Sequence, residues 1–428
     1  MIDELNQDSW PEAIVVGFEI NGLGLARALK KRGVSCLAVA EPEWSPAATS
    51  RSVKKVYRCR EWRRDSVIET LLEIGQRLDQ RGVLLLTKDE SVLWVSNAAE
   101  ELARFYRFAL PAPETVQLLM NKAQFYARAL KAGWPVPRGY LLEDEDALLK
   151  VLPDVPFPAI LKPQLRNSEY RRSPLPKAFK VATPTELLTA YRMVAQYEPE
   201  VILSEWIEGA DNTLYSCRGF WDRDGEPVVQ HAARKLMQWP VETGNMAALE
   251  IPQPEDWVEP LAIANRVFRS VTMFGLAAME YKRHRDGRFL ILEPCVARTV
   301  YSHEIGPLNG YDVPWAAYRY LAFEDAPGAG QTAARPRGFR EAQPPPAGGT
   351  TRLIDVPRAR LAEQEYLRRG LFTEREMRDV FARPYFDMTH RPDDPLPSLL
   401  IRTMKILRQV ARAIVPRWAI DAIRGRTT

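Results

Sequence analysis

The stretch from Gly275 to Thr299, GLAAMEYKRHRDGRFLILEPCVART, sets two apolar, partly β-branched and aromatic runs on either side of Asp286-Gly287. An Asp-Gly pair in that setting is a strong hairpin signal, because a type I′ turn needs positive φ at both central residues. With a two-residue loop Arg285 faces Arg288, and counting outward brings Glu280 opposite Glu293. Facing residues of an antiparallel pair have Cβ atoms about 4.5 to 5.5 Å apart, so two carboxylates there repel unless a positive charge lies between them. A divalent cation such as magnesium, which takes hard oxygen ligands, is one solution. The other is that both side chains lie on a solvated face, or that a turn of another length slips the pairing.

The N-terminal stretch AIVVGFEINGLGLARALKKRGVSCLAVAEPE reads as strand, turn, helix and strand followed by an acid, the outline of a Rossmann half. Its details do not fit the dinucleotide fingerprint. Counting from Gly22, the third glycine position holds Arg27, and Gly17 stands too far before Gly22 for the tight phosphate turn. The expectation is an α/β domain without nucleotide.

A chain of 428 residues exceeds one ordinary core, and at about 150 residues per domain two or three domains are expected. Prolines 111 and 113 mark one boundary, and the Pro-, Gly- and Ala-rich stretch 326–350 reads as a linker. The expected organisation is therefore 1–110, 111–325, the linker 326–350, and an extension 351–428. Helices are expected near 121–132 and 184–196 and strands near 159–162 and 201–206, an intermixing that suggests an α+β unit after the α/β one. No run approaches a membrane span of roughly 18 apolar residues, and the acidic N-terminus lacks the features of a signal peptide, so the cytoplasm is the default location. Cys36, Cys59, Cys217 and Cys295 lie far apart without a C-x-x-C, which argues against a disulfide framework or a zinc site.

Lys162 closes the strand run FPAILKP, Lys122 opens the helix NKAQFYARALKAGWPVP, and VILSEWIEGAD carries an apolar strand into Glu205, Trp206 and Ile207 before Asp211. Each piece alone is unspecific. Their order, with Arg234-Lys235 followed by MEYK and ILEP, resembles the ATP-grasp superfamily, and within it the carboxylate-amine ligases, over residues 111 to 325. The resemblance implies a Rossmann-like preceding domain, a two-lobed ATP-grasp domain and a helical C-terminal extension. It implies that Lys122 and Lys162 contact the nucleotide, that Glu205 and Ile207 line the adenine edge, and that Asp211 reaches the ribose. Glu280 and Glu293 would hold Mg2+, and Arg234, Lys235 and Arg298 would neutralise phosphate charge. The implied activity uses ATP to convert a carboxylate to an acyl phosphate that an amine then attacks. The implied partners are those two small molecules. Two departures stand out: Cys295 occupies the place where the family often has a third oxygen donor, and PQLRNSEYRRSPLPKAFK, with Arg166, Arg171, Arg172 and Lys177, replaces a glycine-rich lid. They motivate an alternative, an inactive ATP-binding protein of the same fold; a dinucleotide-dependent oxidoreductase is the more distant one.

From Leu396 onward seven basic residues face only Asp421, so the net charge of +4 belongs to the tail. Leu400, Met404, Leu407, Ala411 and Ile414 form one helical stripe, with Arg402, Lys405, Arg408 and Arg412 around the other side. The stripe packs on the protein's own body or meets an anionic membrane or protein partner. No recognised nucleic-acid module accompanies the charge. The sequence leaves the oligomeric state and the structure of 351–395 open.

Overall fold

The computed structural model describes residues 10–164, 168–323, 350–401, 403 and 404. The N-terminal region is a parallel sheet in the order β3-β2-β1-β4-β5, made of β1 (Ala13–Val16), β2 (Cys36–Ala40), β3 (Lys55–Arg58), β4 (Gly82–Leu86) and β5 (Tyr106–Arg107). β1, β2 and β4 are buried along their whole length, as parallel strands covered on both faces must be. The glycines after β1 serve packing. Gly17 has φ +89°, its carbonyl accepts from the Thr87 hydroxyl (2.7 Å), and a Cβ on Gly22 would come within 2.2 Å of that carbonyl. Gly24 lies against the Glu304 carboxylate, and Glu41, the acid after β2, pairs with Lys88. The glycines thus let the turn close on its own backbone and let Glu304 approach the helix.

A small lobe follows, an antiparallel sheet in the order β6-β9-β7-β8: β6 (Gly139–Leu142), β7 (Ala159–Pro163), β8 (Phe179–Val181) and β9 (Val201–Glu205). Helices Glu145–Val151 and Pro184–Ala195 close over it, capped by Asp144 and Thr183, and its core of Leu142, Leu148, Leu161, Leu187, Val194 and Leu203 is its own.

The large sheet contains β10 (Leu214–Trp221), β11 (Pro227–Trp239), β12 (Asn245–Glu250), β13 (Gly275–Arg283), β14 (Phe289–Val296), β15 (Arg352–Ile354) and β16 (Tyr385–Asp387), in the order β14-β13-β10-β11-β12-β15-β16. Helix Val258–Ser270 packs on one face, Phe268 against Trp221 and Pro260 accepting from the Tyr281 hydroxyl (2.8 Å). Helix Val313–Ala322 joins the other side to the N-terminal sheet through Trp315, Tyr318 and Leu321, and the Tyr318 hydroxyl donates to Pro11 O (2.6 Å).

The hairpin differs locally from its expectation. His284 N–H donates to Arg288 O (2.8 Å), so the loop has three residues, and only Gly287 among them has positive φ (+94°). A one-residue bulge at Leu292 then shifts the register by one, and Glu280 still faces Glu293.

The extension is a brace on the core. β15 and β16 continue the large sheet, helices Val356–Arg368 and Glu374–Ala382 pack beside it, and the following segment returns to the N-terminal region. There Asp394 accepts from Arg27 Nε (2.9 Å) and Ser50 Oγ (2.6 Å), while Arg391 pairs with Glu304. Of the amphipathic stripe, Leu400 and Met404 are described; Leu407, Ala411, Ile414, Arg402, Lys405, Arg408 and Arg412 lie outside the described residues.

Candidate active site

The small lobe and the large sheet each bring charge to the cleft between them. Lys162 is the fourth residue of β7, on the strand face that alternates with the buried Leu161 and Pro163. Lys122 is the first residue of helix Lys122–Ala132, where Asn121 Oδ1 accepts from Gln124 N–H (3.0 Å) and fixes the helix start. From the large sheet, Glu293 meets Lys122 Nζ at 3.0 Å. Burial and the neighbouring Lys122 push the Lys162 ammonium below its ordinary value, with Glu293 acting the other way. Burial opposes the charge on Glu293, but Lys122, Lys162 and Arg298 outweigh it and hold its carboxyl below the usual range.

Glu280 faces Glu293 across β13 and β14, and Ser216 faces Glu280 from β10. The two carboxylates present hard oxygen donors on one side of the hairpin, and an ammonium already sits against one of them. Among the described residues no group of three or more His, Cys, Asp or Glu is placed to hold a metal, so two carboxylates are what the chain itself offers. Cys295 shares their face, opposite Ala278. Burial pushes its thiol up to about 12, and a neutral thiol is a poor magnesium ligand.

Arg298, after β14, reaches the N-terminal domain: its Nε lies 2.5 Å from Asp89 Oδ1 and its Nη1 donates to Thr299 O (3.0 Å). Burial works against its charge, but the carboxylates of Asp89 and Glu293 favour it and the group stays protonated. Lys235 lies on the Glu280 face of β11 and donates to Gln238 Oε1 (3.3 Å).

Arg234 points to the other face. It is paired with Tyr215 in the ladder and with Glu250 by its guanidinium, on the side covered by helix Val258–Ser270, so the structure does not bring it to the carboxylates. The reason is the period of two: adjacent strand residues cannot share a face. Asp211 is likewise engaged elsewhere. It is 5% exposed and accepts from Glu242 N–H (3.0 Å) and from the hydroxyl of Tyr366 (2.6 Å), a residue of the extension. Glu205 accepts from Arg138 N–H (2.9 Å) at the end of β9, and Ile207 beyond it is buried. Of the lid substitutes, Arg166 lies outside the described residues, as does the Arg171 side chain.

Residues not singled out from the sequence also gather here. Arg218 on β10, 8% exposed, shares the Glu280 face and lines a small cavity with His231, Thr299 and His303. Ser216 and Arg218, two apart on an otherwise apolar strand, are the pattern that would have marked them.

No family model matches the chain. Among curated proteins, it is 24% identical to D-alanine–D-alanine ligase B of Pseudomonas putida over 204 residues, 45% of this chain and 58% of that one. It is 34% identical to the D-alanine–D-alanine ligase of Halorhodospira halophila over 182 residues, 41% of this chain and 56% of that one. Each match therefore spans less than two thirds of the relative. The fold is shared with a biotin carboxylase from Campylobacter jejuni solved as a β-γ-ATP complex (TM-score 0.59, 15% identity, 73% of this chain and 70% of that one). It is shared too with an N5-carboxyaminoimidazole synthetase from Staphylococcus aureus (TM-score 0.55, 12% identity, 72% and 77%). The chain thus has the fold of ATP-grasp proteins and is similar in sequence, over part of its length, to D-alanine–D-alanine ligases.

Proposed function

We propose that the protein is an ATP- and magnesium-dependent ligase that joins a carboxylate to an amine through an acyl phosphate. The observation that carries this reading is the gathering of Lys162, from the small lobe, with Lys122 and the facing Glu280 and Glu293, Lys122 pairing with Glu293. Phosphoryl transfer asks little covalent chemistry of side chains and much positioning and charge neutralisation, which is what such a constellation supplies.

In this reading Lys162 and Lys122 hold the phosphates of ATP, with Lys122 exchanging its contact to Glu293 for one to phosphate. Glu280 and Glu293 would hold magnesium, whose chemistry is to offset charge on the phosphate oxygens during transfer. Lys235 and Arg298 carry further positive charge toward the same site, and Glu205 with Ile207 form the adenine edge. Arg234 and Asp211 act in this reading as structural partners of Glu250 and Tyr366. The four cysteines are free, three of them buried, which suits a reducing compartment and the cytoplasm as the place of work. Among the described residues no helix is long and apolar enough to cross a membrane.

The test is ADP release from MgATP across pooled small acids and amines, with Glu293→Ala alongside. Release that depends on a pool and falls by about 100-fold or more in the variant supports the ligase. Full activity in Glu293→Ala would sink the metal assignment. ATP binding without release in any pool favours the second reading, an ATP-binding protein without turnover, which the thiol at Cys295 motivates.

A further inference from the structure

Lys235 and Gln238 stand three apart on β11, and on a regular strand side chains three apart point to opposite faces. Here they meet: the Lys235 ammonium donates to Gln238 Oε1 (3.3 Å). A shift of register is the cause. Lys235 faces Leu249 and Met237 faces Ala248, so β11 carries one extra residue at Leu236, which reverses its alternation. Leu236 and Met237 both enter the apolar core formed with Ala359, Ala362 and Tyr366 of helix Val356–Arg368, so the extension packs against the bulge itself. Ala233, Ser216 and Glu280 face one another across β11, β10 and β13, and Lys235, two beyond Ala233, shares the side of the sheet that carries Glu280.

Tyr366 also holds the backbone beyond the bulge. The Gln238 N–H donates to the Tyr366 hydroxyl (3.0 Å), which donates in turn to Asp211 Oδ2 (2.6 Å). Burial raises the phenol, so it keeps the proton this arrangement needs. Gln238 is 2% exposed, yet its side chain is only half satisfied. An ammonium only donates, so the amide oxygen is the atom that faces Lys235. Nε2, on the other arm of the amide, is buried with no hydrogen-bond partner. An unmet buried donor destabilises a fold, and a methionine of similar length would carry none. The partner of Lys235 is moreover a neutral amide rather than a carboxylate, which orients the ammonium without offsetting its charge.

We propose that Gln238 is a positioning residue for the phosphates of ATP: its amide oxygen aims the Lys235 ammonium into the site, and Tyr366 of the extension holds Gln238 in place. This deepens the ligase reading, on whose nucleotide site it rests. It makes the extension a working part of nucleotide binding, although it lies outside the stretch 111–325 that resembles the superfamily.

The experiment is a double-mutant cycle on the full chain, read by calorimetric titration with MgATP and by urea unfolding. Gln238→Met and Lys235→Met are each expected to weaken MgATP binding about tenfold. The double variant is expected to match Lys235→Met within about twofold, because Gln238 then has nothing to aim. The urea midpoint of Gln238→Met is expected to equal or exceed that of the unaltered protein, since the orphaned donor is gone. Loss of binding without loss of stability is what a merely structural residue would not show. Gln238→Glu sets a carboxylate against the ammonium; it is expected to weaken MgATP at least as much, and it decides if Gln238→Met does not fold. Tyr366→Phe is expected to weaken MgATP about threefold or more in the unaltered background and to have no further effect in Gln238→Met. Unchanged affinity in Gln238→Met, losses that multiply in full in the double variant, a lowered urea midpoint in Gln238→Met, or an equal effect of Tyr366→Phe in both backgrounds overturns the assignment. ADP release read separately keeps the two proposals apart: the cycle as expected without ADP release under any acid and amine defeats the ligase reading alone. ADP release that needs Glu293, with MgATP binding untouched by Gln238→Met, defeats this one alone.

Discussion

Cys295 stands on β14 two residues beyond Glu293, on the same face, where a side chain can reach toward whatever the two carboxylates hold. Its thiol stays protonated at neutral pH because burial raises it, so it adds bulk and no hard donor. Cys295→Asn replaces it with an amide oxygen. The expected outcome is a drop of about tenfold in the magnesium concentration giving half-maximal ADP release, read from a metal titration at saturating ATP. An unchanged titration would mean that the position does not address the metal. Tyr366 raises a different point at this scale: its hydroxyl, bound to Asp211 at 2.6 Å and accepting from Gln238 N–H at 3.0 Å, comes from outside the stretch that resembles the superfamily.

At the scale of elements, the segment after β16 is a strap between two parts of the molecule. Its anchor is the Arg27–Asp394 pair, both side chains about 5% exposed, with Ser50 Oγ and Arg51 N–H also donating to Asp394. A buried pair of this kind adds little over a well-packed apolar pair, but removing one partner strands the other charge. Asp394→Ala is therefore expected to cost about 3–5 kcal/mol in urea unfolding, whereas Arg27→Met with Asp394→Leu recovers most of it. A loss under about 1 kcal/mol would show that the strap is not anchored there. The hairpin belongs to this scale too. Its three-residue loop and the bulge at Leu292 each shift the register by one in opposite senses, which is why Glu280 and Glu293 meet although the loop is longer than two residues.

For the whole molecule, the N-terminal sheet and the large sheet share core residues, while the small lobe keeps a separate core. Lobes joined by little shared core move most readily against one another, and that motion would open or close the cleft holding Lys162. The shared core also contains a pH sensitivity. His231, fully buried and stacked on Tyr311, is pushed down to about 3 by burial and by Arg218. The unfolded chain takes this proton near pH 6.5 and the folded chain only near 3, so His231's contribution is complete above about 6.5 and is lost as pH falls toward 3. Between pH 7 and pH 5 the loss from this group is about 2 kcal/mol. Urea midpoints at the two pH values are expected to differ less in His231→Gln than in the unaltered protein; equal differences would remove His231 as the source.

Glu280 faces Glu293 as the spacing suggested, but only because the bulge at Leu292 offsets a longer loop. The sequence alone carried that facing and the resemblance to the ATP-grasp superfamily, through strand periodicity and the order of short motifs. It could not determine that Arg234 lies on the far side of the large sheet, because that needs the register of β10 against β11. Nor could it show that Tyr366 closes over Asp211, or that Arg218 and His303 line one cavity, since these residues lie 155 and 85 positions apart. Contacts between such distant positions are decided by how strands pair and layers stack, and no local pattern records them.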